Sequence, residues 1–419
     1  MSDGMIASKI DTIRSQFPAL QRKGHAGQPC VYFDAPGGTQ VPAAVIEAMK
    51  HYLSAQNSNT HGQFITSEES DQVIEHAREL GAAFIGAPGA SDIHFGANMS
   101  TITFHLSRAL LNMLSAGDEI IITRLDHDAN ISPWLALQKF GIQIKWVDFN
   151  PENCTLKMDD FGKLLSDRTR LVAVGYASNA VGTINDAKSI VKQAKAAGAL
   201  TFIDAVHFAP HGLIDVKAID CDFLVCSAYK FFGPHIGMAY VRKSVADILQ
   251  VDRVRPQNPL PPEKFETGTL NHEGIAGFNA AMNYLASLSQ TDSPTTDVRQ
   301  AIVKSMAAIS AYEQQLSRKL ITGLQDITGV KIYGIADLKA LAHRTPTVSI
   351  TIEGHTPQEI AHELGKRDIF VWDGDFYAVE VIQRLGLEKS GGLVRIGLTH
   401  YSTTSEIDRL LAGLREIAR

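Results

Sequence analysis

Between residues 93 and 241, short apolar runs alternate with helical patterns. No other feature of the chain constrains its fold as tightly. The runs cover 93–95, 119–123, 143–147, 171–175, 200–204, 223–226 and 237–241. Between them, apolar residues recur at helical spacing near 100–115, 131–140, 159–166 and 187–197. Strands covered on both faces read as unbroken apolar runs, and strands joined through helices form parallel sheets. The expected architecture is α/β: a mostly parallel seven-stranded sheet with helices on both faces. Ligands of such sheets bind beyond the carboxyl ends of the strands.

The flanking segments read differently. Residues 1–34 are mixed, with a helix at 6–16 and a short strand at 31–34. Ala35-Pro-Gly-Gly38 ends that strand. A helix is expected at 42–55 and another at 68–86, with a polar loop carrying His61 between them. Residues 250–275 are rich in Pro, Asn, Gly and charge and read as a long loop, a kind that is usually functional. After Ser/Thr/Asp-rich punctuation at 289–296 comes a long helix near 297–325. Strands near 329–333, 346–352, 369–371 and 393–397 then mix with helices at 356–366, 376–386 and 404–418. This is the pattern of a small α+β domain. The division expected is an arm at 1–34 packing with the small domain, a large domain at 35–285 and the small domain at 286–419.

Composition excludes several partners. The 419 residues are 45% hydrophobic and carry a net charge of −6, with no basic run. Nucleic acid and anionic membranes are therefore not expected partners. No apolar stretch approaches the ~18 residues of a membrane span, and the first residues lack the core of a signal peptide. Four cysteines without CxxC spacing suit a reduced, cytoplasmic protein. No metal site is expected.

Chemistry concentrates at the ends of the apolar runs. In Cys221-Asp-Phe-Leu-Val-Cys-Ser-Ala-Tyr-Lys230-Phe-Phe-Gly-Pro234, a lysine follows a buried strand by a few residues. Desolvation there favours the neutral amine, which can attack an aldehyde and form a Schiff base. Thr201-Phe-Ile-Asp204-Ala-Val-His207 ends a strand on a carboxylate that needs a cationic partner. A protonated pyridine nitrogen would serve, as would a structural arginine. His207 is either a satisfied core histidine or a ligand of a cofactor's phenolic oxygen or phosphate. Asn98, Met99, Ser100 and Thr101 open a helix whose free N–H groups suit an anion. His127, after the run at 119–123, can stack on a flat ring. Arg395, inside Leu393-Val-Arg395-Ile-Gly-Leu, can clamp a carboxylate bidentately. Neither GxGxxG nor GxxxxGK[ST] occurs, which counts against a nucleotide site.

The order of these motifs resembles one family. Asp126-His127-Asp-Ala-Asn130-Ile-Ser-Pro-Trp134 is followed by Ala177-Ser-Asn179-Ala-Val-Gly-Thr183, Asp204-Ala-Val-His207, Ser227-Ala-Tyr-Lys230 and Phe265-Glu-Thr-Gly-Thr269. The series is similar to the class V aminotransferases, and within them to the cysteine desulfurase and selenocysteine lyase branch. The resemblance implies a fold type I pyridoxal 5′-phosphate enzyme, a homodimer with the site at the subunit interface, acting on a small-molecule amino acid. By resemblance, Lys230 carries the cofactor covalently, Asp204 pairs its ring nitrogen and His127 stacks on its ring. Ser227, His207 and the Asn98–Met99–Ser100 turn hold the phosphate and ring oxygen. Asn179 lies near the phenolic oxygen, and Thr269 matches a residue reaching the partner's phosphate. Arg395, with His61 and Asn179, contacts substrate.

One departure bears on the reaction. Desulfurases carry a nucleophilic cysteine in an Arg-Thr-Gly-His-His-Cys-Ala loop. Here the corresponding stretch is Val371-Trp-Asp-Gly-Asp-Phe-Tyr377-Ala378, with Tyr377 in the thiol's place. The expectation is a lyase of desulfurase type without the persulfide cysteine. A class V aminotransferase or an amino-acid epimerase is the alternative, and a non-catalytic scaffold of the same fold the remote one. Asp373, Asp375 and Tyr377 are candidates for a second acid or base.

Overall fold

The computed structural model describes residues 4–25, 27–289 and 297–419. Most of the punctuation read at 289–296 lies outside them. The central sheet has seven strands in the order Ile93–Gly96, Gly237–Val241, Phe223–Ser227, Leu200–Asp204, Thr169–Gly175, Glu119–Thr123 and Gln143–Val147. Gly237–Val241 runs antiparallel to both its neighbours, and the other pairings are parallel.

Strand periodicity explains why both faces are dry. Successive side chains point to opposite faces. Leu171, Ala173, Phe202, Phe223, Val225 and Ala239 belong to one apolar cluster. Their alternates Val172, Val174, Ile203, Leu224, Cys226 and Met238 belong to another. Helix Met99–Leu111 covers the first face through Leu106, Ala109 and Leu110. Helices Ile65–Ile85, Ala187–Ala196 and His272–Ser287 contribute to the second cluster. Polar ends such as Asp204 and Ser227 are all that the buried strands offer to a ligand.

A four-stranded antiparallel sheet follows, ordered Val330–Tyr333, Thr347–Ile352, Leu393–Gly397, Trp372–Gly374. The long helix Val298–Gln325 packs against it, and the terminal helix Thr404–Ile417 packs on that helix.

Some elements differ from the sequence reading. The segment 250–275 is not a loop to its end, because helix His272–Ser287 begins inside it. The polar stripe of that helix is narrow, Asn279, Asn283 and Ser287 at i, i+4 and i+8, and most of the rest is buried, so the amphipathic period is weak. The strand read near 369–371 does not join the small sheet. Ile369–Phe370 pairs in parallel with Val31–Tyr32 instead. Trp372–Gly374, unread as a strand, takes the edge beside Leu393–Gly397. The helix expected at 131–140 splits into Ser132–Leu135 and a 3₁₀ turn, Gln138–Phe140.

Candidate active site

One cavity of about 1090 Å³ opens at the carboxyl ends of the parallel strands. Asn98, Met99, Ser100, His127, Asn179, Asp204, His207, Ser227, Lys230 and Arg395 all line it. Sequence positions nearly 300 residues apart thus converge on one space.

Lys230 ends a 3₁₀ turn, Ala228–Lys230, that follows directly on strand Phe223–Ser227. Its Nζ donates to the carbonyls of Pro36 and Gly37, the latter at 3.0 Å, and lies 4.7 Å from the centroid of the Tyr229 ring. Burial, aided by the charge of Arg395, lowers the amine's pKa to about 7, while Asp204 pulls the other way. A substantial fraction of this lysine is neutral near pH 7. Desolvation raises Asp204 to about 6, and its Oδ1 accepts one backbone bond, from Val206 N–H at 2.9 Å.

The anion-facing end is built by close backbone approach. Asn98 caps helix Met99–Leu111 through its Oδ1, which accepts from Thr101 N–H at 2.9 Å. Met99 N–H donates to Ser227 Oγ at 3.0 Å, tying the helix start to the lysine strand. A Cβ on Gly237 would lie 2.6 Å from the Asn98 carbonyl carbon, so only glycine lets the strand pass beneath this turn.

His127 Nδ1 accepts from Ala129 N–H at 3.0 Å. Burial and the charges of Lys230 and Arg395 lower its pKa to about 4, so the ring is neutral. Tyr377 stacks on it at 5.6 Å and 20°. Next to it, buried Asp126 accepts from Thr123 Oγ1 and Asn130 Nδ2, each at 2.7 Å, and from Gly175 N–H. Burial raises Asp126 to about 7. His207 Nε2 lies 3.2 Å from Thr345 Oγ1, and burial keeps this ring neutral too.

Arg395 comes from the small sheet. Its Nη1 donates to Asn179 O at 3.1 Å and its guanidinium lies 4.2 Å from the Phe376 ring centroid. Burial lowers its pKa to about 9. Its Nε has no partner, and no carboxylate lies within 4 Å among the described residues. Part-buried Asp34 acts on it from beyond that distance and raises its pKa, and a ligand carboxylate would offset more of the cost of burying the guanidinium. Asn179 Nδ2 donates to Phe376 O at 2.9 Å, whereas its buried Oδ1 has no partner.

His61 and Thr269 stand apart from the cavity. His61 is largely exposed, with Nδ1 3.3 Å from Asp71 Oδ1. Thr269 is exposed on the stretch after Glu266. Sequence reasoning missed the carbonyls of Pro36 and Gly37, the Asp126 network and the Phe376 ring under Arg395. The Ala35-Pro-Gly-Gly38 break and the Asp126–His127 pair were the available signals.

These residues fit pyridoxal phosphate. A low-pKa lysine, a buried carboxylate with a single backbone donor, an orphaned amide and a capped helix start share one cavity. The fold and cavity together define the class of fold type I pyridoxal 5′-phosphate enzymes. Residues 31–410 match the family model for aminotransferase class-V, and the chain belongs to that family. It is 32% identical over 431 residues to a cysteine desulfurase of Synechococcus elongatus, covering 99% of this chain and 65% of that one. A cysteine desulfurase of Serratia proteamaculans is 32% identical, with 98% of each chain covered. The aminotransferase-like protein FGM3 of Gibberella zeae is 31% identical over 97% of this chain and 98% of that one. Among solved structures, the apo cysteine desulfurase of Thermococcus onnurineus superposes with a TM-score of 0.83 at 27% identity, covering 96% and 98% of the two chains. The S-sulfonic acid form of Escherichia coli cysteine desulfurase CsdA does so at 0.80 and 25%, covering 97% and 98%.

Proposed function

We propose that this chain acts at Cα of an amino acid as a desulfurase-type lyase that works without a persulfide cysteine. The observation that carries this reading is the low-pKa Lys230 amine sharing a cavity with Asp204 and with Arg395, which has no carboxylate within 4 Å among the described residues. Lys230 would hold the cofactor, Asp204 its ring nitrogen, His127 its ring face and Asn179 its phenolic oxygen. Ser227, His207 and the 98–100 turn would hold the phosphate. The bound cofactor supplies an electron sink for the pair left when Cα loses its proton. Arg395 clamps the α-carboxylate and thereby fixes which Cα substituent faces Lys230. Lys230 Nζ, with a pKa of about 7, takes the Cα proton near neutral pH. Neutral His127 and His207 add no positive charge beside it.

What argues against a thiol step is the placement of the cysteines. Cys30, Cys154, Cys221 and Cys226 are all buried, and none lines the cavity. Burial pushes Cys154 up to about 11 and Cys221 to about 12, and raises Cys226 further. None is a thiolate near neutral pH, and persulfide formation needs one. Tyr377, Asp373 and Asp375 also line the cavity, and an epimerase, the second reading, would need one of them as its second base on the far face of Cα. Incubation with cysteine and dithiothreitol is expected to release little sulfide. Robust sulfide turnover that disappears on mutating one native cysteine would overturn the reading.

The same reading makes the protein a cytoplasmic homodimer, with Thr269 directed to the partner's phosphate. Equilibrium sedimentation tests it, since a monomeric holoenzyme would remove Thr269 from the site. No helix among the described residues is long and apolar enough to cross a membrane.

A further inference from the structure

The two ends of the cavity differ in charge. The inner end carries Arg395, only 4% exposed with an unpartnered Nε, together with Lys230 and the buried carboxylate of Asp204. The open end carries three carboxylates, Asp128, Asp373 and Asp375. Among the described residues no lysine, arginine or histidine nitrogen lies within 4 Å of these three acids. Asp128 Oδ2 accepts from Ser132 Oγ and Asp375 Oδ1 from Tyr377 N–H, so each retains a free oxygen. Beside them stand two aromatic rings that the fold leaves in water, Trp372 at 50% exposure and Tyr377 at 71%.

Such a rim has one natural complement. Aromatic faces attract cations, and carboxylates without partners attract them more strongly. A thiol or short neutral side chain would leave both features unused. We propose that the substrate is an amino acid with a cationic side chain, its α-carboxylate on Arg395 and its side-chain cation against Asp373, Asp375 and the Trp372–Tyr377 rings. This rests on the reading of the cavity as an amino-acid site and names the substrate class for it.

Paired ligands with and without a side-chain cation isolate the charge. The holoenzyme would be titrated with L-lysine against L-norleucine, and with L-arginine against L-citrulline. The readouts are the shift of the cofactor's absorbance band and the rise in Tm. The cationic member of each pair is expected to bind about tenfold tighter, as a part-exposed ion pair plus one cation–π contact would give. Raising the salt should shrink that ratio. In Asp373→Asn/Asp375→Asn it should fall toward one, while Asp373→Glu retains most of it. L-glutamate should bind more weakly than norleucine. Equal binding within each pair, or a ratio that survives the double substitution, would overturn the assignment of side-chain charge alone. A cofactor-loaded protein that responds to no amino acid would overturn both this and the underlying reading. Folding of each variant is checked by its own cofactor band and Tm.

Discussion

Lys230, Asp204 and Ser227 reach the cavity from the ends of strands buried on both faces. Asp373, Asp375 and Tyr377 reach it from a single short segment on the edge of the small sheet. The first wall is held by two dry cores. The second is held by a smaller cluster that takes in Phe376 and Ala378, by pairing of Trp372–Gly374 with Leu393–Gly397, and by hydrogen bonds from Asn179 Nδ2 to Phe376 O, Asp128 N–H to Tyr377 O and Ala378 N–H to Asp375 O. Phe376 and Tyr377 both adopt left-handed backbone, at φ 58° and 57°. Non-glycine residues hold that conformation at a cost of about 1–3 kcal/mol each, and it clusters at functional sites. The difference teaches a division of labour. On the proposed function, the sheet wall would fix the cofactor and the proton at Cα, and the edge segment would decide what becomes of the substrate afterwards.

Substitutions on the two walls should therefore fail in different ways. The largest effect belongs to the sheet wall. Lys230→Ala should lower kcat by about 10²–10⁴ for every amino acid tried, the usual contribution of a positioned base. A loss confined to one substrate would break the division. Next comes the clamp. Arg395→Ala should raise KM by about 10–100-fold for α-carboxylate substrates, corresponding to ~1.4–2.8 kcal/mol for a lost charged contact. Equal effects on decarboxylated amines, measured side by side, would show that Arg395 only supports the fold.

A pH experiment sharpens the comparison further. Lys230 is lowered to about 7, so its neutral form grows as pH rises through 7. In the apoprotein, arylation of Lys230 by fluorodinitrobenzene should climb between pH 6 and 8, about one unit either side of that value, and then level off. A profile still climbing near pH 10 would place this amine in ordinary solvent. The smallest effect is expected at the edge. Tyr377→Phe should leave cofactor affinity within about twofold, because its hydroxyl makes no hydrogen bond among the described residues, while changing the proportion of products. A large loss of cofactor would show that the edge segment also holds the ring.

The same division governs what the sequence makes legible. Strands at 119–123, 200–204 and 237–241 are bounded in the fold as read, because a strand with two dry faces is apolar until it stops, and the part-exposed edge strand at 143–147 is bounded as read as well. Asp204 and Lys230 stand out as charges at those stops. The edge segment has no such contrast. Trp372–Gly374 is three residues long, and its neighbour Ile369–Phe370 pairs with a different sheet. Helix His272–Ser287 hides for the opposite reason, since it is mostly buried and its polar stripe is limited to Asn279, Asn283 and Ser287. The Pro36 and Gly37 carbonyls that hold Lys230 are backbone groups, and no side chain announces them.

The covalent anchor can be tested outright. The holoenzyme would be reduced with borohydride, digested and mapped by mass spectrometry. A pyridoxyl group on the peptide containing Lys230, and none on the Lys230→Ala protein treated alike, is the expected result. A group fixed on another lysine, or an undiminished adduct in Lys230→Ala, would contradict it.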